Sequence, residues 1–266
     1  MMSEAAQAVA LPEQIAEELY QAWLTRRTID PISDRQSDFS IEDAYGAQKH
    51  LIARRVAQGE RVIGKKIGVT SRAVMDMLKV YQPDFGYLLD GMLCNDGDAI
   101  SMAALIQPKA EGEIAFVLKK DLQGPGVSAA DVLAATEGVM PCFEIVDSRI
   151  RDWKIRITDT VADNASCGMF VLGARLVDPR ALDLRTCGLV LEKNGEVVGT
   201  GAGAAALNSP VNAVAWLANT LGRLGTSLKA GEVILSGALC AMTPVKRGDQ
   251  LRVDIGGIGG CSVRFT

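Results

Sequence analysis

Three glutamates stand where an apolar pattern leads one to expect none. Ala110-Glu111-Gly112-Glu113-Ile114-Ala115-Phe116-Val117-Leu118 is otherwise small or apolar. Side chains alternate along a strand, so Glu111 and Glu113 share one face. Two carboxylates on one face repel unless something positive lies between them. Glu144 interrupts a second apolar run, Val139 to Val146. An ionised glutamate buried there is costly unless it is paired or bound to a metal. Three carboxylates without histidine or thiolate describe a site for a hard cation, Mg²⁺ or Mn²⁺, with positions left open for water and substrate. The pattern leaves another arrangement open, in which Glu111 and Glu113 lie on a solvated face and Glu144 pairs with Arg149 or Lys109.

Other residues could serve the same chemistry. Gly64-Lys65-Lys66-Ile67-Gly68-Val69-Thr70-Ser71 places two lysines and two hydroxyls at a strand-to-helix transition. Backbone amides and a hydroxyl there can meet an anion, and a desolvated lysine beside a metal can move a proton. Asp84 sits in Tyr81-Gln82-Pro83-Asp84-Phe85-Gly86, which reads as a turn. Asp159 to Gly168 is small and polar, the composition of a binding loop. Gly199-Thr200-Gly201-Ala202-Gly203-Ala204 fits G-x-G-x-x-A but runs into Asn208-Ser209-Pro210 before its helix, so it is not a dinucleotide loop. The sequence has one histidine, His50, and six scattered cysteines without a C-x-x-C pair. Histidine-based triads and zinc spacing are therefore excluded, and reduced thiols are expected.

The elements that must carry these residues are legible in outline. Apolar positions Ile15, Leu19, Trp23 and Leu24 predict a helix over residues 11–27, followed by a loop at Asp30 to Asp34. Ser40 and Asp43 predict a capping box opening a second helix to about Ala57. Beyond Arg61 come short apolar runs: Val62-Ile63, Ile114 to Leu118, Phe143 to Val146, Met169 to Leu172, Leu189 to Glu192, Val233 to Leu235 and Leu251 to Ile255. Asn194-Gly195 marks a type I′ hairpin. Ser128 with Asp131, and Ser209-Pro210, predict two further helix starts. No repeat or linker divides the chain, and regular strand-helix alternation is missing. The expected fold class is α+β: an N-terminal helical portion, residues 1–60, packed on a mixed β-sheet body, residues 61–266, as one integrated domain.

Composition narrows the function classes. With 266 residues, 48% apolar and 23% charged, the chain can bury a sizeable core. A net charge of −4 argues against nucleic-acid or anionic-membrane partners. No apolar run approaches the roughly 18 residues of a membrane span. The acidic start, Met1 to Tyr20, lacks a secretory pattern, which predicts a cytoplasmic protein.

Taken in order, the blocks Gly64 to Ser71, Gln82 to Gly86, Ile106 to Ala115, Glu144 to Trp153, Asp159 to Gly168 and Ile234 to Gly237 resemble the 2-keto-4-pentenoate hydratase family of the fumarylacetoacetase-like superfamily. The resemblance implies a fumarylacetoacetase C-terminal-like fold and one divalent cation on Glu111, Glu113 and Glu144. It implies a 2-hydroxydienoate substrate from meta-cleavage of catechols, chelating the cation through its carboxylate and 2-oxygen, with water added at C4 and no organic cofactor. Lys66 matches the family's lysine, for proton transfer or enolate stabilisation. Asp84 is the second proton-transfer candidate, and Thr70, Ser166 and Ser236 are assigned to orienting the carboxylate or water. The resemblance also implies a homo-oligomer, as large as a decamer of pentameric rings, and a complex with 4-oxalocrotonate decarboxylase. That decarboxylase activity is the nearest alternative, and a non-catalytic partner role is another. Asn208, where relatives carry glycine, and Gly260-Cys261 depart from the family pattern.

Overall fold

The computed structural model describes residues 10–266; the first nine residues of the N-terminal portion, Glu4 among them, lie outside the described residues. Three helices come first: α1 (Leu11–Thr25), α2 (Ile32–Arg35) and α3 (Ile41–Ala57). Then follow β1 (Val62–Gly68), α4 (Arg72–Leu78), β2 (Asp84–Leu89), β3 (Leu93–Asn95), β4 (Ala99–Ile100), β5 (Lys109–Leu118), α5 (Ala129–Ala135), β6 (Thr136–Val146), α6 (Ile157–Ala162) and β7 (Cys167–Leu172). The last part contains β8 (Gly188–Lys193), β9 (Glu196–Ala202), α7 (Pro210–Arg223), β10 (Val233–Leu235), β11 (Thr243–Pro244), β12 (Gln250–Ile255) and β13 (Gly259–Phe265).

The helices begin where the capping signals place them. Ser40 and Asp43 exchange both hydrogen bonds of a capping box, and Ser128 and Asp131 do the same at α5. Pro210 opens α7 from the first helical position, where its missing N–H costs nothing, but the Ser209 side chain makes no cap bond. Asn194 and Gly195 turn the β8–β9 hairpin at φ 56° and 85°, as a type I′ turn requires. Asn208 also has positive φ, 65°, a conformation asparagine tolerates and glycine adopts freely.

The strands form two mixed sheets. The larger runs β2-β1-β10-β5-β6-β7-β3, with β11 beside β5; the smaller runs β4-β13-β12-β8-β9. Pairings β1–β10, β3–β7 and β4–β13 are parallel and the rest antiparallel, which is the α+β architecture with mixed sheets. Phe116 and Phe143 of the large sheet meet Leu189, Leu191 and Val253 of the small one, with Leu217 and Leu221 of α7. Each such side chain, fully buried, contributes about 1.5–3 kcal/mol. Ile52 of α3 covers the other face of the large sheet, against Leu88, Leu89 and Phe170. Ile15, Leu19, Ala44 and Leu51 of the N-terminal helices cluster with Ile150, Val161 and Ala162 of the body.

Two local expectations are corrected. Asp30 to Asp34 is not all loop, since Ile32, fully buried, seeds the short helix α2. Tyr81 to Gly86 is not only a turn: Asp84 opens β2, pairing with Gly68 of β1.

Candidate metal and substrate site

The register of β5 on β6 sets Glu111 directly opposite Glu144, and Glu113 opposite Cys142. Like charges facing each other across a ladder are destabilising. Ligand oxygens of Glu111, Glu113 and Glu144 all lie within 4.8 Å of one another. Glu113 and Glu144 are fully buried, so the solvated-face arrangement does not occur. Burial, then the Glu144 charge, pushes the Glu111 carboxyl up to about 7. Burial and neighbouring carboxylates also raise Glu113, and burial raises Glu144 against the pull of Lys66. Glu113 Oε2 accepts the Gly237 N–H at 2.7 Å, whereas Glu113 Oε1 and Glu144 Oε2 lack a hydrogen-bond partner and Glu144 Oε1 has only a lysine ammonium beside it. Buried, orphaned and convergent carboxylate oxygens are what a divalent cation satisfies, so these residues fit one.

The positive charge comes from β1. Alternation along the strand sends Lys65 and Lys66 to opposite faces. Lys65 pairs with Glu232 at 2.6 Å, while Lys66 Nζ lies 3.0 Å from Glu144 Oε1. Strands β10 and β5 stand between β1 and β6, a separation of roughly 14 Å in a flat sheet. The long lysine and glutamate side chains meet across these two strands. Burial works against the Lys66 ammonium, but Glu144, then Asp84, holds its pKa above the ordinary lysine value. Arg149 and Lys109 are engaged elsewhere: Arg149 with Asp163, and Lys109 over the Trp153 ring at 4.3 Å.

Asp84, on β2, faces the same centre. Burial raises its carboxyl pKa against the pull of Lys66, and its Oδ1 has no partner. A Cβ on Gly68 would stand 2.2 Å from that oxygen and 3.3 Å from Lys66 Nζ, so this close approach needs glycine.

Lys66, Asp84 and Glu111 line a cavity of about 460 Å³ together with Thr70, Ser71, Thr160 and Ser166. The rest of its wall is apolar: Val69, Val74, Val146, Trp153, Ile155, Leu239 and Met242. Ser166 Oγ lies 3.2 Å from Thr160 Oγ1. Ser236 is set apart, fully buried, donating its hydroxyl to the Ile114 carbonyl at 2.9 Å. Its neighbour Gly237 anchors Glu113 instead. The structure thus gathers Lys66, Asp84, Thr70, Ser166 and the three glutamates, and leaves Ser236 out of the cavity lining. His50 is exposed on α3, and the six cysteines are free.

The apolar wall was not legible as a site, because Val69, Trp153, Ile155 and Met242 carry no chemical signature. One structural signal marks part of it. Val69, Trp153, Ala165 and Ser166 line the cavity with left-handed backbone at φ 56°, 57°, 49° and 55°. Each such non-glycine residue costs about 1–2 kcal/mol, strain that collects at functional sites.

Fold and site together define a convergent three-carboxylate centre, fit for a divalent cation, beside a half-apolar cavity. The chain belongs to the fumarylacetoacetate (FAA) hydrolase C-terminal family, whose signature spans residues 62–266. It is 57% identical over 256 residues to a 2-hydroxyhexa-2,4-dienoate hydratase of Comamonas testosteroni, covering 96% of this chain and 97% of that one. It is 65% identical over 216 residues to a 2-hydroxypent-2,4-dienoate hydratase of Pseudomonas putida, covering 81% and 97%. Its structure is similar to that of 4-oxalocrotonate decarboxylase from Pseudomonas putida G7, complexed with magnesium and adipate, at TM-score 0.93 and 40% identity over 96% and 97% of the chains. Among the described residues, no helix is long and apolar enough to cross a membrane.

Proposed function

We propose that this chain is a metal-dependent hydratase, a hydro-lyase that adds water to 2-hydroxypenta-2,4-dienoate to give 4-hydroxy-2-oxopentanoate in the meta-cleavage degradation of aromatic compounds. The observation that carries this reading is the convergent Glu111-Glu113-Glu144 cluster, with Glu111 on the wall of a cavity that Lys66 and Asp84 also line. Identity to the hydratases, 57% and 65%, exceeds the 40% shared with the decarboxylase, whose fold is the same. The intact carboxylates speak against a non-catalytic partner.

Glu111, Glu113 and Glu144 would hold the cation, Mg²⁺ or Mn²⁺, and when bound it supplies Lewis acidity toward the substrate's 2-oxygen. Thr70 and Ser166 orient the substrate carboxylate with their hydroxyls. The Lys66 ammonium, held charged beside Glu144, stabilises negative charge developing on the 2-oxygen. The reaction requires the 2-hydroxyl proton to leave and C5 to gain one. Asp84, whose carboxyl burial pushes above the ordinary range, supplies it, and its carboxylate can then accept a proton from the water that adds to C4. C3 takes the last proton, so the product gains one water. We further propose a homo-oligomer, supported by exposed Val190, Val197 and Val198 on β8 and the edge strand β9; association with a decarboxylase subunit and a cytoplasmic location complete the proposal.

The test follows freshly generated 2-hydroxypenta-2,4-dienoate by its ultraviolet absorbance, with product identification by mass, in Mg²⁺ and in Mn²⁺. Loss of the dienoate with gain of one water is expected. Release of CO₂ from 4-oxalocrotonate without hydration would replace this reading by the decarboxylase.

A further inference from the structure

The turn joining α6 to β7 forms part of the cavity wall and is held in an unfavourable backbone shape. Asn164, Ala165 and Ser166 have φ 53°, 49° and 55°, the only run of three successive non-glycine residues with positive φ among those described. L-residues leave this region unless other contacts hold them.

Two sets of contacts do so. From one side, the buried Arg149 guanidinium spans the turn: Nε donates to Asp163 Oδ1 at 2.5 Å, Nη2 to the Asp163 carbonyl at 2.5 Å, and Nη1 to the Cys167 carbonyl at 2.9 Å. Nη1 also donates to the Asp147 carbonyl at 2.6 Å, and the Arg149 N–H donates to Asp163 Oδ2 at 2.9 Å. From the other side, Asn164 Oδ1 accepts the Tyr87 N–H at 2.8 Å and its amide donates to the Tyr87 carbonyl at 2.9 Å. That docks the turn on β2, the strand that carries Asp84. A Cβ on Gly86 would meet the Asn164 carbonyl at 2.5 Å, so the fit is close.

We infer that Arg149 is a positioning residue: by bridging both ends of the 163–167 turn it fixes the Ser166 and Thr160 hydroxyls against the substrate without lining the cavity itself. The inference rests on the hydratase reading of that cavity. The planar fork of arginine reaches several carbonyls at fixed angles, which the single ammonium of lysine cannot do.

The experiment is a double-mutant cycle of R149K and S166A, read as kcat and KM for 2-hydroxypenta-2,4-dienoate at saturating Mg²⁺, with hydrogen exchange of the backbone amides alongside. Each single variant is expected to lower kcat/KM by roughly 10- to 100-fold, as misplacement of a substrate-orienting group does, chiefly through KM. The double variant should match R149K within about twofold, because both changes remove one interaction. Exchange in R149K should quicken at residues 163–167, with β5 and β6 amides and Mg²⁺ affinity unchanged. Losses that multiply in the double variant, or a turn whose exchange stays at the wild-type rate, overturn the inference. If R149K does not fold, D163N takes its place with the same expected non-additivity. Exchange needs no substrate, so a wild type without turnover would reject the hydratase reading separately from this one.

Discussion

At the scale of residues, the site is a balance of buried like charges held by one lysine. Alternation put Glu111 and Glu113 on one face and an apolar run singled out Glu144, but the pattern left a solvated face open, and only the family resemblance joined the three as one candidate site. Their positive partner was not fixed by the pattern, because Lys66 stands on β1, with β10 and β5 between it and the Glu144 strand. The balance gives a linkage with a definite sign. Without a cation, Glu111 titrates at about 7 against an ordinary 4.5. Between those values the folded chain binds more protons than the unfolded one, so stability falls as pH rises through the window. The metal-free protein should therefore melt at lower temperature at about pH 8 than at about pH 6, and saturating Mg²⁺ should raise Tm more at the higher pH. A Mg²⁺ shift larger at the lower pH would count against a carboxylate site. Lys66→Met should lower kcat by roughly 100- to 1000-fold, as loss of a group stabilising developing charge does, with Mg²⁺ binding retained in calorimetry. Loss of Mg²⁺ binding instead would mean that Lys66 organises the ligands and does not act on substrate.

Elements place these residues through register, and register shows in sequence only where a turn or bulge fixes it. The Asn194-Gly195 hairpin and the two capping boxes were legible because their chemistry is local. The pairing of Asp84 with Gly68 was not, because it joins segments separated by the whole of α4. Close strand approach supplies a test. A Cβ on Gly64 would lie 2.0 Å from the Val233 carbonyl, across the β1–β10 pairing that positions Lys66. Gly64→Ala should cost about 1–3 kcal/mol in urea denaturation, the usual cost of overpacking, and reduce activity with it. A variant of wild-type stability would show that β1 can shift away from β10 freely.

For the whole molecule, the N-terminal helices are tied to the elements that line the site. Gln48 of α3, nearly fully buried, donates to the carbonyls of Phe85 in β2 and Val161 in α6 at 2.8 and 3.0 Å. Asp159 of α6 accepts the Ser33 N–H and hydroxyl at 2.9 and 2.6 Å. A glutamine on a helix gives no sequence sign of such a role, whereas the helical texture before residue 60 and the change to strands after it were plain. We propose that this portion and the body form one folding unit. Gln48→Leu should lower stability by about 1–3 kcal/mol, since it leaves buried carbonyls short of a donor. Near- and far-ultraviolet circular dichroism should melt together in wild type and variant alike; two separated transitions would show independent units.

The central claim, that Glu111, Glu113 and Glu144 hold the cation on which hydration depends, is tested most directly by Mg²⁺ titration of metal-stripped wild type and Glu113→Gln, following both heat of binding and dienoate loss. The wild type should bind one Mg²⁺ per chain and recover turnover in step with occupancy, and Glu113→Gln should lose at least about tenfold in affinity together with its turnover. Hydration by the stripped protein, or wild-type Mg²⁺ affinity in the variant, would contradict it.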